Sequence, residues 1–191
     1  MEDKLSVILE ESHGFFEERG SRFLSFLFCA KDFKKRLSEL QDSHPKAVHF
    51  VNASRVFNEF GHIEESFSDD GEPRGTSGIP TLKVLRGYGL IESALITVRY
   101  FGGTLLGSGG LVRAYTQSAK SAILNAHLLA YKPTKTHEFM AEYSKLARIE
   151  YLAKTLGIAL EKREFLPLCV HCFATGEMRN LERFLELAGR F

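Results

Sequence analysis

The chain has 191 residues, with 25 Lys and Arg against 24 Asp and Glu, 44% hydrophobic residues, 16 Gly and 5 Pro. So many large apolar side chains with so little Gly and Pro exclude a collagen-like or disordered chain, and leave one or two globular domains at about 100–200 residues each. A net charge of +1 argues against a surface that binds polyanions all over, while leaving local patches open.

In chain order, the N-terminal MEDKLSVILEESHG sets acids on both sides of a short apolar run, which is neither the basic start nor the apolar stretch of a signal peptide. Within 13–30, Gly14 and Gly20 set off aromatic-rich pieces, and RFLSFLF is apolar on both faces, which predicts one or two buried strands. Phe33, Leu37 and Leu40 then recur at helical spacing, and Ser43-His44-Pro45 ends the pattern, so 31–40 is read as a short amphipathic helix. A strand is expected over 47–57, a short helix over 79–85 with Pro80 in its first turn, and a β-rich strand over 94–101. From about Gly110, Leu111, Ala114, Tyr115, Ala119, Ala122, Ile123 and Ala126 recur at spacings of three and four, which predicts a longer helix with one packed face.

The proline, threonines and lysines around HLLAYKPTKTH mark the end of a packing unit, so the chain is divided into domains at 1–130 and 131–191. Beyond the boundary come a strand at 138–143, a helix at 146–156 closed by Gly157, a hairpin over 158–174 and a helix at 181–187. The order β-α-β-β-α is ferredoxin-like without a recognisable last strand, a shortened second domain. The fold class is therefore α+β with two domains.

The charge balance hides a local dipole. Residues 59–72 hold Glu59, Glu64, Glu65, Asp69, Asp70 and Glu72 with no Lys or Arg, whereas 74–120 hold Arg74, Lys83, Arg86, Arg99, Arg113 and Lys120 against Glu92 alone. The acidic stretch, read as a loop, runs into SDDGEPRGTSG, whose turn residues, with Asp69, Asp70, Glu72, Arg74 and Thr76 among them, predict an ordered loop. Its carboxylates have three possible uses: oxygen ligands for a divalent cation, acid/base chemistry, or acceptors for backbone N–H groups and partners for Arg99 or Arg113.

A second element runs from Arg99 to Tyr115 as strand, loop and helix, with Gly102, Gly103, Gly107, Gly109 and Gly110 in nine positions. Backbone N–H groups at such a helix start, with Ser108, Arg99 and Arg113 beside them, would attract an anion such as phosphate. Neither nucleotide template fits. Ser108-Gly109 stands where a P-loop needs Lys-Ser/Thr, and Val112 stands where the dinucleotide fingerprint needs its third glycine. The other reading of the glycines is close packing of helix on sheet.

The remaining signals are structural. Cys29, Cys169 and Cys172 are too few for a secreted disulfide framework, which favours a cytoplasmic protein. Cys169 and Cys172, three apart on a strand, face opposite sides and are read as ordinary buried cysteines. His49, in a strand, is read as a satisfied, partly buried residue. No stretch reaches the roughly 20 apolar residues of a membrane span. No cofactor or metal is expected.

SDDGEPRGTSGIP, followed about twenty residues later by VRYFGGTLLGSGGLVRAY, closely resembles the signature of the IMPACT family, bacterial branch. The resemblance covers roughly 20–130, including SRF at Ser21–Phe23 and His49; where bacterial members usually carry Asn-Cys after the histidine, this chain has Phe50-Val51. It implies a first domain of the ribosomal-protein/elongation-factor type, a sheet with helices on one face, and a second domain like one from elongation factor G. Eukaryotic members restrain a starvation-responsive kinase that phosphorylates an initiation factor. For this chain the resemblance implies translation, with RNA, the ribosome or a translation-related protein as partner.

Three functional readings follow: a non-enzymatic binding protein whose glycine loop, Arg99 and Arg113 meet an anion; a phosphate-chemistry enzyme with Mg²⁺ held by Asp69, Asp70 or Glu72; and a folding device in which Asp69 and Asp70 cap and neutralise the arginine-rich strand and helix start.

Overall fold

The computed structural model describes residues 5–189, so the first four residues of the N-terminal segment and the last two of the chain lie outside the description. The backbone divides into two compact units, Met1–Tyr131 and Lys132–Phe191.

In the first unit, β1 (Ser6–Ile8), β2 (Ser12–Glu18) and β3 (Ser21–Cys29) are followed by a 3-10 turn and α1 (Phe33–Ser43). Then come β4 (His49–Phe57), β5 (Ile63–Ser68), α2 (Gly78–Gly87), β6 (Ser93–Tyr100), α3 (Gly107–Leu124) and β7 (Leu128–Ala130). Five strands form an antiparallel sheet in the order β2-β3-β6-β4-β5, and β1 pairs with β7.

Both faces of the central strands are covered, which is why β3 and β6 lack a polar alternation: every residue of Ser93–Arg99 is buried. Leu27, Ala53 and Leu95 pack with Leu82 and Leu85 of α2 and Ala119 and Ala122 of α3. Phe28, Ala94, Ile96 and Val98 pack instead with Phe33, Leu37 and Leu40 of α1. Successive strand residues point to opposite faces, so the α+β class stands with one refinement: α2 and α3 share a face, and α1 covers part of the other. The helix face also holds a closed hydroxyl cluster. Ser25 Oγ lies 2.7 Å from both Thr97 Oγ1 and Ser118 Oγ, and Ser118 Oγ–H donates to the Phe23 carbonyl at 3.0 Å, so these buried polar atoms have partners.

Two sequence readings are corrected here. The stretch 59–72 is not one acidic loop, because β5 takes its middle as an edge strand. Register sets Arg55 opposite Glu65, and Glu65 also bonds Arg86 of α2, so its carboxyl is held below the usual range by Arg86 first and, more weakly, by Arg55, against the opposing effect of burial. And α3 begins at Gly107, three residues ahead of the expected Gly110, because the chain turns into the helix through Gly107 itself, at φ +71°.

The second unit runs β8 (Thr134–Glu142), α4 (Tyr143–Leu156), β9 (Ala159–Phe165), β10 (Cys169–Glu177) and α5 (Met178–Ala188), the β-α-β-β-α order expected. Its antiparallel sheet is ordered β8-β10-β9. Ala141, Val170, Cys172 and Ala174 pack with Ile149 and Ala153 of α4 and Leu181 and Phe184 of α5. Cys172 is buried, which pushes its thiol pKa up, whereas Cys169 is half-buried; all three cysteines are free. No helix among the described residues is long and apolar enough to cross a membrane.

Candidate functional site

The segment SDDGEPRGTSG folds as a turn built on Asp69 and Asp70. Asp69 Oδ1 accepts the N–H of Gly78 at 2.8 Å, the N–H of Ser77 at 3.2 Å and the Ser77 hydroxyl at 2.7 Å, and Oδ2 accepts the N–H of Gly75 at 2.8 Å. The carboxylate thereby satisfies orphan donors at the start of α2 and faces the positive end of its dipole. Burial by itself would raise the Asp69 pKa, but the bonds from Gly75, Ser77 and Gly78 outweigh it and hold the carboxyl below its ordinary value.

Asp70 adopts a left-handed backbone, φ +44°, and ties the turn to β4. Its Oδ2 accepts the Phe50 N–H at 2.5 Å, and its carbonyl lies 2.7 Å from His49 Nδ1. Thr76 is buried and bonds the Pro73 carbonyl through both its N–H and its hydroxyl, while Arg74 is exposed.

Glu72 turns inward, leaving its side chain 2% exposed. Its Oε1 accepts Arg99 Nη1 at 2.5 Å and the Tyr115 hydroxyl at 2.6 Å. Arg99 is 6% exposed, with its guanidinium 5.5 Å from the Phe23 ring centroid and 5.8 Å from that of Phe101; Phe23 meets Tyr115 edge-on at 5.0 Å. Burial first, and the Glu72 carboxylate second, drive the Tyr115 pKa far above its ordinary value, so the phenol stays a donor. The folding-device reading had the right Arg99 and the wrong acids: Glu72 neutralises Arg99, while Asp69 and Asp70 shape the turn. Tyr115 was legible only as one apolar helix position, although a buried tyrosine ordinarily needs a partner for its hydroxyl.

The glycine loop divides by task. Gly102 lies against the turn between β2 and β3, where a Cβ would sit 2.0 Å from the Gly20 carbonyl carbon and 2.1 Å from the Ser21 nitrogen, and its N–H donates to Ser21 Oγ at 3.1 Å. Gly103 and Gly109 face open space, and a Cβ on Gly110 would press Leu106 Cβ at 2.9 Å. The start of α3 has no side-chain cap.

Between turn and loop opens a cleft of about 440 Å³. Gly71, Glu72 and Pro73 come from the turn, Val48 and His49 from the start of β4, Arg99 from the end of β6, Phe101, Leu105 and Leu106 from the loop, and Gly107, Ser108 and Leu111 from α3. Of the expected anion site, Arg99, Gly107 and Ser108 thus meet in one place; Gly102, Gly103, Gly109, Gly110 and Arg113 are not among the lining residues. Arg113 instead bonds Glu18 at the surface. Among the described residues no group of three His, Cys, Asp or Glu side chains is arranged to hold a metal ion.

This two-unit α+β chain, with the acidic turn and the glycine loop lining one cleft, is similar to known proteins. The family model described as the Impact N-terminal domain matches residues 19–123, and the chain belongs to the IMPACT family. It is 38% identical over 123 residues to an IMPACT family member of Haemophilus influenzae, covering 63% of this chain and 57% of that one. It is 36% identical over 142 residues to the IMPACT family member YigZ of Escherichia coli, covering 71% of this chain and 68% of that one. The crystal structure of a hypothetical protein, 27% identical, superposes with a TM-score of 0.77 over 99% of this chain and 93% of that chain. The match to the Haemophilus relative thus spans less than two thirds of that protein's length.

Proposed function

We propose that the protein is a non-enzymatic regulator of translation that works by binding, with the cleft between the signature turn and the glycine loop as its contact site. One observation carries this reading: the two segments that bear the family signature line a single cleft, although Glu72 and Arg99 are 27 residues apart in sequence. Family membership supports the connection with translation. The lining favours a protein partner over RNA, because Arg99 is already committed to Glu72 and Arg113 lies outside the cleft, so the two arginines do not converge on one phosphate.

RNA or ribosome contact through the anion-seeking loop is the second reading, favoured by the uncapped start of α3 and by the exposed Arg113 nearby in sequence. The Mg²⁺-dependent phosphate enzyme has less support, since the turn's own donors occupy the Asp69 carboxylate, Asp70 Oδ2 accepts the Phe50 N–H, and Glu72 Oε1 is taken by Arg99 and Tyr115.

Sedimentation of the full chain with ribosomes and translation-factor complexes over a salt series tests the proposal. Leu105→Asp, at a cleft residue 80% exposed, is expected to abolish co-sedimentation, and Arg113→Glu to leave it intact. No association at low salt removes the translation reading; loss in Arg113→Glu alone transfers support to RNA.

A further inference from the structure

The two oxygens of Glu72 are unequally used. Oε1 takes both donors, Arg99 and Tyr115, while no described residue donates a hydrogen bond to Oε2, which faces His49 Nε2 at 3.9 Å. The proton on His49 is positioned by the Asp70 carbonyl, which can only accept; Nδ1 therefore carries the hydrogen, and in the neutral ring Nε2 is a bare acceptor. Two acceptors thus face each other across a gap too wide for a direct bond. Two hydrogen bonds of about 2.8 Å from one donor atom span that gap at an angle near 90°.

The surrounding charge selects the donor. Glu72 and Asp70 are negative and Arg99 positive, so with neutral His49 these groups carry one net negative charge. Around them stand Pro73, Phe101, Leu105, Leu106 and Leu111, of which Phe101 and Leu105 are largely exposed and form an apolar wall without a cover.

We propose that the cleft is a receptor for a primary ammonium group on an apolar stem, the chemistry of a lysine side chain of a partner protein, with Glu72 Oε2 and His49 Nε2 as its two acceptors. The stem lies on Leu105, Leu106 and Phe101, as long basic side chains do when their methylenes cover apolar surface. The inference rests on the reading of the cleft as the contact site and supplies the chemistry of what enters it.

The test is titration of the full chain at pH 8, followed by the imidazole nitrogen and backbone amide signals in NMR. The probes are n-butylammonium, n-butanol, inorganic phosphate, and lysine blocked at its amino and carboxyl groups. Saturable shifts at His49 and Leu106 are expected with n-butylammonium and with blocked lysine, and binding about tenfold weaker or worse with n-butanol, which lacks the charge.

Glu72→Gln is expected to lose this response, and because that variant risks the fold, His49→Ala provides the second check; its side chain is 23% exposed. Absence of a saturable response to either amine overturns the proposal, as does a response unchanged in His49→Ala. Tighter binding of phosphate at the same signals overturns it in favour of an anion site. Response to n-butylammonium but not to blocked lysine overturns the protein source and leaves a free amine. Amine binding with no ribosome or factor association sinks the translation reading alone.

Discussion

Arg99 Nη1 donates to Glu72 Oε1 at 2.5 Å, both side chains being almost wholly out of water, and this pair joins the end of β6 to the signature turn. Removing either charge leaves the other buried and unpaired, so Glu72→Gln and Arg99→Met are each expected to destabilise the first unit by about 3–5 kcal/mol, with a smaller loss in the double variant than the two singles sum to. Urea denaturation of the three variants, followed by a probe in the first unit, measures this. Additive losses would show that the pair does not act as a unit.

Tyr115→Phe keeps the ring against Phe23 and removes only the donor to Glu72. The expected loss is about 1.5–3 kcal/mol, the cost of one buried hydrogen bond to a charged acceptor. A shift in the denaturation midpoint with an unchanged slope is the signature to look for.

Asp69 provides a pH dependence whose sign is fixed by its environment. Its folded pKa is depressed, so the native state binds fewer protons than the unfolded chain there; the contribution is complete above the unfolded value of about 3.9 and is lost as pH falls through the lower folded value. Asp69→Asn keeps one acceptor oxygen but sets an NH2 donor where Oδ2 accepts the Gly75 N–H, and is expected to cost about 1–3 kcal/mol at neutral pH. Its stability should also fall less steeply than wild type in acid. Equilibrium unfolding of both proteins from pH 6 to pH 2 checks slope and sign together.

Two glycines of the same loop should respond in opposite directions. Gly102→Ala drives a Cβ into the Gly20 backbone, which cannot yield as a flexible side chain would, and is expected to cost about 3 kcal/mol or more. Gly109→Ala meets open space at the start of α3 and is expected to raise stability by about 0.5–1 kcal/mol. Similar melting temperatures for the two variants would refute this division of tasks.

Arg113 separates the two binding readings. Its side chain is 61% exposed and paired with Glu18, so Arg113→Ala should change stability by no more than about 1 kcal/mol. If RNA phosphate is the partner, the same variant lowers the salt slope of binding by about 1; if the cleft takes a protein side chain, the slope is unchanged.

Much of this was legible locally. The apolar spacing of Leu111, Ala114, Tyr115, Ala119 and Ala122 is a property of the helix itself, and the turn chemistry of Asp69 through Gly78 needs only nearby donors, so both segments could be read before any fold was known. β5 was missed because its acids looked like a loop until Arg55 and Arg86, distant in sequence, were brought to Glu65. The layering of α1 on its own face was missed because an all-apolar strand does not say which helix covers which side.

The charge arithmetic shows the same limit. Sequence alone determined that an acidic turn precedes an arginine- and glycine-rich segment, and that the first is ordered, because charge and turn propensity are written residue by residue. Only the tertiary structure decided that Glu72, not Asp69 or Asp70, meets Arg99, that Arg113 turns away to Glu18, and that one oxygen of Glu72 is left facing His49. Those pairings depend on strand register and on which side chains are shut away from water, and burial makes a single charge pair decisive where solvent would leave many nearly equivalent.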